Sequence, residues 1–265
     1  MDHLLRDLAP ISDAGWQGIE EEAKQRLTTS LAARKLVDFD GPHGWLHSAT
    51  PSGRVRALTA PGEGVVARQR QVRLLVELRA QFRLSRAELD DVDRGRKDVD
   101  YGPLDTAAHH LALTENIAVF HGYRPGEITG ITEASSHDPI PLAGDLARYP
   151  NSVAMAVDRL RQAGIGGPYG LAIGPEGYAG IIETTEHGGY LLFDHLRQIL
   201  GGPLVWAPGV EGAVVVSLRG GDFVLTCGQD LSIGYLSHTA EEVTLYLEES
   251  LSFRVLEPDA AVALR

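Results

Sequence analysis

The chain has 265 residues, 43% of them hydrophobic and 23% charged, with a formal net charge of −12. That balance is ordinary for a folded protein of one large or two smaller domains and excludes disordered and collagen-like classes. No run approaches the ~18 apolar residues of a membrane span, Cys227 is the sole cysteine, so neither an intrachain disulfide nor a zinc–cysteine cluster can form, and the acidic balance argues against a nucleic-acid reader.

The N-terminal stretch Met1–Asp7 alternates charged and apolar residues and lacks a signal-peptide core, so a cytoplasmic location is expected. Ser12 then reads as the N-cap of a helix over 13–30, with Glu20, Glu21 and Glu22 in its first half and Trp16, Ile19, Ala23 and Leu27 on one stripe. A short strand-like piece, 36–40, precedes the breaker Gly41-Pro42. From Trp45 to about Leu78 neither a helix nor a sheet layer reads cleanly. Turns at 51–53 and 61–64 and a basic run at Arg68, Arg70 and Arg73 suggest an arm that reaches over a neighbouring subunit. Ser85-Arg86-Ala87-Glu88 fits a capping box for a short helix ending near Gly95. A long helix spans Pro103 to Gly122, apolar on two sides, with Leu104, Ala107, Ala108, Leu111, Thr114 and Ala118 on one and Leu113, Ile117 and Phe120 on the other.

From about Ser136 the texture becomes mixed α/β: helices over 150–163, 175–183 and 191–200, and strands at 169–173, 204–206 and 213–218. The closing strand places Val243, Leu245, Leu247, Leu251, Phe253 and Val255 on one face, as in a half-buried strand. Only Glu249 breaks the alternation. At 13 residues it is well over twice the usual strand length and implies an elongated architecture.

No enzymatic constellation assembles: there is no G-x-S-x-G elbow, P-loop or H-E-x-x-H motif. His109 and His110 are adjacent on a helix and point apart. His43 and His47 flank Trp45 without a third ligand. Asp90, Asp91, Asp93, Asp98 and Asp100 lack the alternation and closing Glu of a calcium loop. No metal site and no enzyme activity are expected.

Several blocks occur in an order and spacing that resemble the encapsulins, bacterial and archaeal proteins that assemble into hollow icosahedral compartments. They are Leu8-Ala9-Pro10, Ala33-Arg34-Lys35 with Val37-Asp38, Gly41-Pro42-x-Gly44-Trp45, Phe82-x-Leu84 with Glu88-Leu89-Asp90, Arg94-Gly95, Gly167-Pro168-Tyr169, Arg219-Gly220-Gly221-Asp222-Phe223, and Gly228 through Tyr235. The resemblance implies an α+β fold of the tailed-phage major-capsid (Hong Kong 97) type. Its parts would be an N-terminal helix and start of the P-domain over 1–44, an E-loop over 45–73, a P-domain with spine helix over 74–135, an A-domain over 136–224, and P-domain strands over 225–265.

The same resemblance implies a self-assembling shell that encloses a cargo protein, such as a dye-decolourising peroxidase or a ferritin-like protein, through a terminal targeting peptide. Carried over residue by residue, the peptide site would comprise Arg34, Asp38, Asp230, Leu231 and Ile233. An apolar patch would take aliphatic side chains and an Arg/Asp pair would fix orientation; ordinary core packing, with Arg34 paired to Asp38, is the alternative. A five-fold pore loop would comprise Thr185, Glu186, His187, Gly188, Gly189 and Tyr190, whose polar ring would filter small solutes. Ala87 stands where some members carry a flavin-stacking aromatic residue, so no flavin and no other cofactor is expected. Neither nucleic acid nor a membrane is expected as a partner. The rival readings are a prophage capsid protein of the same fold and a hydrolase or bacteriocin-like activity.

Overall fold

The computed structural model describes residues 3–142, 146–185 and 191–265. In chain order it has helix α1 (Asp13–Ser30), strands β1 (Asp38–Asp40), β2 (Ala49–Leu58), β3 (Ala67–Leu74) and β4 (Val76–Ser85), and helices α2 (Arg86–Asp93), α3 (Gly102–Phe120), α4 (Ile131–Ala134) and α5 (Tyr149–Gln162). Strand β5 (Tyr169–Ile173), helices α6 (Pro175–Glu183) and α7 (Leu192–Leu200), and strands β6 (Leu204–Trp206), β7 (Ala213–Ser217), β8 (Phe223–Cys227), β9 (Ser232–His238), β10 (Glu242–Val255) and β11 (Ala261–Leu264) follow.

The helix starts are set by local chemistry. Ser12 Oγ accepts the Gly15 N–H at 3.1 Å and caps α1, while Ser85 Oγ accepts the Glu88 N–H at 3.5 Å and caps α2. Helix α3 carries proline in its first turn, where a missing N–H costs nothing. Its apolar residues serve two cores. Leu104, Ala107, Ala108 and Leu111 pack with Trp16, Ile19, Ala23 and Leu27 of α1 and with β4, β9 and β10. Ala118, Val119 and Phe120 enter a second core built on β5, β7, α5 and α7.

There are two main sheets, and the second core touches both, since it also takes Phe223 and Leu225 of β8 and Leu251 and Phe253 of β10. One has the order β1-β8-β10-β4, with β9 also paired to β10; the other has the order β11-β7-β5-β6. The length of β10 follows from this arrangement. Along one edge it pairs with β4 from Glu242 to Leu251; along the other it pairs first with β9 and then, from Leu251 to Val255, with β8. A strand that must hold three neighbours cannot be short.

Three expectations are corrected. Residues 45–78 do form a sheet layer: β2 and β3 pair as an antiparallel ribbon, with a register shift between Pro51 and Val55, that leads into β4. Nearly all ribbon residues are exposed on both faces, so no buried/exposed alternation is written into its sequence. The central part of β10 is buried on both faces rather than one, Tyr246, Glu248, Ser250 and Ser252 being covered as well as the apolar side. Finally, the strands after residue 225 do not all return to the first sheet, because β11 pairs antiparallel with β7, Ala261 opposite Val216 and Leu264 opposite Ala213. Its run Ala-Val-Ala-Leu is fully buried and fits the interior of a covered sheet.

Candidate functional site

Helix α1 lies across the sheet that carries β9 and β10, and a groove of about 680 Å³ remains between them. Its apolar walls are Ala23, Leu27 and Leu31 on the helix side and Leu231, Ile233 and Leu247 on the sheet side. Leu4 is held at the sheet side by its own carbonyl, which accepts the Tyr235 N–H at 2.8 Å. An ion pair between Arg6 and Glu20, 2.6 Å, lies along the rim, together with Lys24 and Lys35. Arg34 and Asp230 also line the groove and supply its polar groups.

The position of Arg34 is fixed from below. The 3₁₀ turn Ala33–Lys35 follows α1 directly, and Asn116 of α3 clamps the junction. Asn116 Oδ1 accepts the N–H groups of Ala32 (2.9 Å) and Ala33 (3.1 Å). Its Nδ2 donates to the carbonyls of Ser30 (2.9 Å) and Pro208 (3.0 Å). One fully buried amide thus satisfies four buried backbone groups, including a terminal carbonyl of α1.

Arg34 then spends its whole guanidinium fork on carboxylates. Nε donates to Glu115 Oε2, Nη1 to Asp230 Oδ1 and Nη2 to Glu249 Oε2, each at 2.7 Å. Glu115 and Glu249 are 0% exposed, whereas Asp230 is 42% exposed. Glu249, the one residue that interrupts the apolar face of β10, keeps its place in the strand register and points inward to Arg34. Burial works against the charge of Arg34, but Glu115, Glu249 and Asp230 together more than offset it and raise its pKa. Burial also raises Glu115 and raises Glu249 further, with the charge of Glu115 adding to the effect on Glu249. Among the described residues, Glu115 Oε1 and Glu249 Oε1 have no hydrogen-bond partner. A proton on Glu249, which its raised pKa favours, would supply the donor that these two carboxylates otherwise lack.

On the opposite face of β10, Glu248 is equally buried and accepts from Arg79 Nη2 at 2.7 Å, with His3 Nε2 at 3.0 Å. Arg79 lies over the Tyr246 ring, 4.1 Å from its centroid. Adjacent glutamates therefore pin β10 to different neighbours on its two sides.

Of the five residues expected at a peptide site, four line the groove: Arg34, Asp230, Leu231 and Ile233. Asp38 does not. It opens β1, and its Oδ2 accepts the Gly221 N–H at 2.6 Å beside a separate, smaller hollow. The alternative, an Arg34–Asp38 pair, does not form either, because three other carboxylates occupy Arg34. Glu115 and Asn116 were missed by sequence reasoning, although a Glu-Asn pair within a helix apolar on two sides is a signal of buried polar work. Of the expected pore loop, Thr185 bridges Leu191 in an antiparallel pair, and residues 186–190 lie outside the described residues.

Cys227 is buried, and burial pushes its thiol up to about 12, which removes it as a nucleophile. His43 Nε2 pairs with Asp40 Oδ1 at 3.0 Å, and among the described residues no group of three or more His, Cys, Asp or Glu is placed to hold a metal ion. Ala87 lies exposed on α2.

The comparisons with known proteins agree with this construction. Residues 1–252 match the family model described as "Encapsulating protein for peroxidase". A type 1 encapsulin shell protein of Rhodospirillum rubrum is 49% identical over the whole of this chain and 97% of its own length. Among solved structures, a virus-like particle from Pyrococcus furiosus superposes with a TM-score of 0.62 at 19% identity, covering 94% of this chain and 99% of that one. The capsid of an empty GTA particle superposes with a TM-score of 0.54 at 14% identity, covering 88% and 89%. The fold is thus the tailed-phage capsid fold, and by sequence the chain belongs to the encapsulin family of shell proteins.

Proposed function

We propose that this chain is a structural shell subunit which assembles with copies of itself into a closed icosahedral compartment and holds a cargo protein by a terminal peptide laid in the groove between α1 and β9. The observation that carries the cargo assignment is the groove itself. It is a partly enclosed groove walled by Ala23, Leu27, Leu31, Leu231, Ile233 and Leu247, with Arg34 and Asp230 among its charged lining groups. That form suits an extended segment with one or two aliphatic anchors, whose backbone and flanking polar groups meet the charged groups. The residues assigned to the peptide are Leu231, Ile233, Leu27 and Asp230. Arg34 acts beneath them as the group that positions Asp230. The family's description as an encapsulating protein for peroxidase supports an oxidoreductase as cargo, and identity at the level of 49% to a shell protein favours a compartment over a phage head.

In this reading the protein is not an enzyme, and its compartment stands in the cytoplasm. No described helix is long and apolar enough to cross a membrane. Residues 185–190, whose base is closed by the Thr185–Leu191 bridge, are assigned to the pore that admits small molecules. The test is co-purification of a reporter fused to the tail of a candidate cargo. Leu231 lies outside the strands and is only half-buried, so Leu231→Asp should leave particles intact. A charge in an apolar site costs peptide binding several kcal/mol, and the particles should come out empty. Loading equal to wild type would place the cargo site elsewhere.

A further inference from the structure

The β2–β3 ribbon is charged against the rest of the chain. Residues 49–74 carry five arginines and one glutamate, a formal +4, so the remainder of a chain of net charge −12 carries −16. None of these five arginines forms an ion pair among the described residues. The register divides the ribbon into two unlike faces. Residues directly opposite share a face, and side chains alternate along each strand. Val55 opposes Arg70, Ala57 opposes Arg68, Pro51 opposes Val72 and Ala49 opposes Leu74, which together make one face. Arg56 opposite Gln69, Leu58 opposite Ala67 and Thr50 opposite Arg73 make the other.

On the second face the guanidinium groups are used within the chain: Arg56 Nη2 donates to Gln69 Oε1 at 2.7 Å, and Arg73 Nη1 to the Glu127 carbonyl at 3.4 Å. On the first face Arg68 and Arg70 make no side-chain hydrogen bond among the described residues. Beside them Val55, Val72 and Leu74 are each at least half exposed. A two-stranded ribbon is marginal in water by itself, and exposed aliphatics set among uncommitted guanidiniums are the composition of an interface rather than of a solvated surface.

We infer that this face of the ribbon, Val55, Val72 and Leu74 with Arg68 and Arg70, docks on a carboxylate-bearing surface of a second copy of the same chain, and that the opposite face does not. The inference rests on the shell reading and adds to it which face makes the contact and by what chemistry. The aliphatic residues supply adhesion, and the two guanidiniums supply recognition of an acidic partner. A second copy is the occupant that the charges favour, since each chain offers the surplus carboxylates that its own ribbon leaves unanswered. Partly exposed ion pairs of this type are screened within about 10 Å at 0.1 M salt, so the contact should weaken with ionic strength.

The experiment is reassembly of dissociated full-length protein, read by light scattering against protein and salt concentration. Three variants are compared with wild type: Arg68→Gln/Arg70→Gln, Arg56→Gln/Arg73→Gln, and Arg68→Lys/Arg70→Lys. The first should need about tenfold more protein to form particles, with its salt dependence largely gone. The second should behave as wild type, and the third, which keeps the charge, should stay close to it. Arg68 and Arg70 are exposed and bond to nothing among the described residues, so circular dichroism of the first variant should be unchanged. The inference is overturned if the first variant assembles at wild-type concentrations, if the second loses as much as the first, or if the salt dependence survives in the first. Normal assembly of the first variant with loss of co-purifying nucleic acid would overturn it in favour of a nucleic-acid contact. If wild type forms no particles under any condition, the shell reading itself fails, and that result is distinct from all of these.

Discussion

Replacing Arg34 with alanine should damage the subunit before it damages cargo binding. The guanidinium is the one cation shared by Glu115, Glu249 and Asp230, at 2.7 Å from each. Asp230 is 42% exposed and can rehydrate, so its share of the loss is small. Glu115 and Glu249 are 0% exposed and cannot. Removing one partner of a buried pair typically costs about 3–5 kcal/mol. A second route to the figure agrees: forcing a proton onto a carboxyl of ordinary pKa at pH 7 costs about 3.7 kcal/mol, and the stranded pair can do no better than accept it. For a domain of this size that corresponds to a fall in melting temperature of about 6–20 °C. The assay is differential scanning fluorimetry on purified Arg34→Ala, alongside its combination with Glu249→Gln, which removes one stranded acid and should recover part of the loss. Arg34→Lys should fall between, since one ammonium cannot serve three carboxylates in a planar fork. A melting temperature for Arg34→Ala equal to wild type, with cargo loading abolished, would refute this reasoning and return Arg34 to the peptide.

Three further outcomes follow from the same core. Glu249→Gln keeps an acceptor for Arg34 Nη2 and gives Glu115 Oε1 a permanent donor. The raised pKa of Glu249 means that its protonated form fits the fold; that contribution is full below the ordinary carboxyl pKa and is lost as pH rises through the folded value. The variant should therefore match wild type at acidic pH and exceed it increasingly toward alkaline pH in melting temperature, and parallel curves would contradict the shared proton. Asn116→Ala strands the buried N–H groups of Ala32 and Ala33 and the carbonyls of Ser30 and Pro208, which should cost at least about 3 kcal/mol and show as loss of soluble protein. At Gly234 any Cβ would overlap the Tyr246 ring, itself held under Arg79, so Gly234→Ala should cost about 1–3 kcal/mol by overpacking, read as a lower melting temperature.

Much of the architecture was legible because the relevant signals are local. Helix α1 ends where its stripe ends, and the caps at Ser12 and Ser85 and the proline at the start of α3 act within one turn. The ribbon was illegible as a ribbon because strands exposed on both faces carry no period-2 hydrophobic pattern. Strand β11 was misplaced because four small apolar residues satisfy any covered sheet, and its partner β7 lies about fifty residues earlier. The groove was half legible. Ile233 sits on β9 with Leu231 just before it, both where the resemblance puts them, but the resemblance also grouped Asp38 with Arg34, whereas Arg34 turns to partners 81, 196 and 215 residues away. The break at Glu249 was visible in the alternation; its meaning required knowing that Glu115 on another helix would face it.

The central claim is that this subunit is completed only by its neighbours. Sizing and electron microscopy of the protein expressed alone test it directly. Elution near the void volume and hollow particles of one uniform diameter are expected, because the exposed aliphatics of the ribbon, and its arginines left without an ion pair among the described residues, need a second copy to cover them. A stable monomer or dimer that stays monodisperse at micromolar concentration would contradict it.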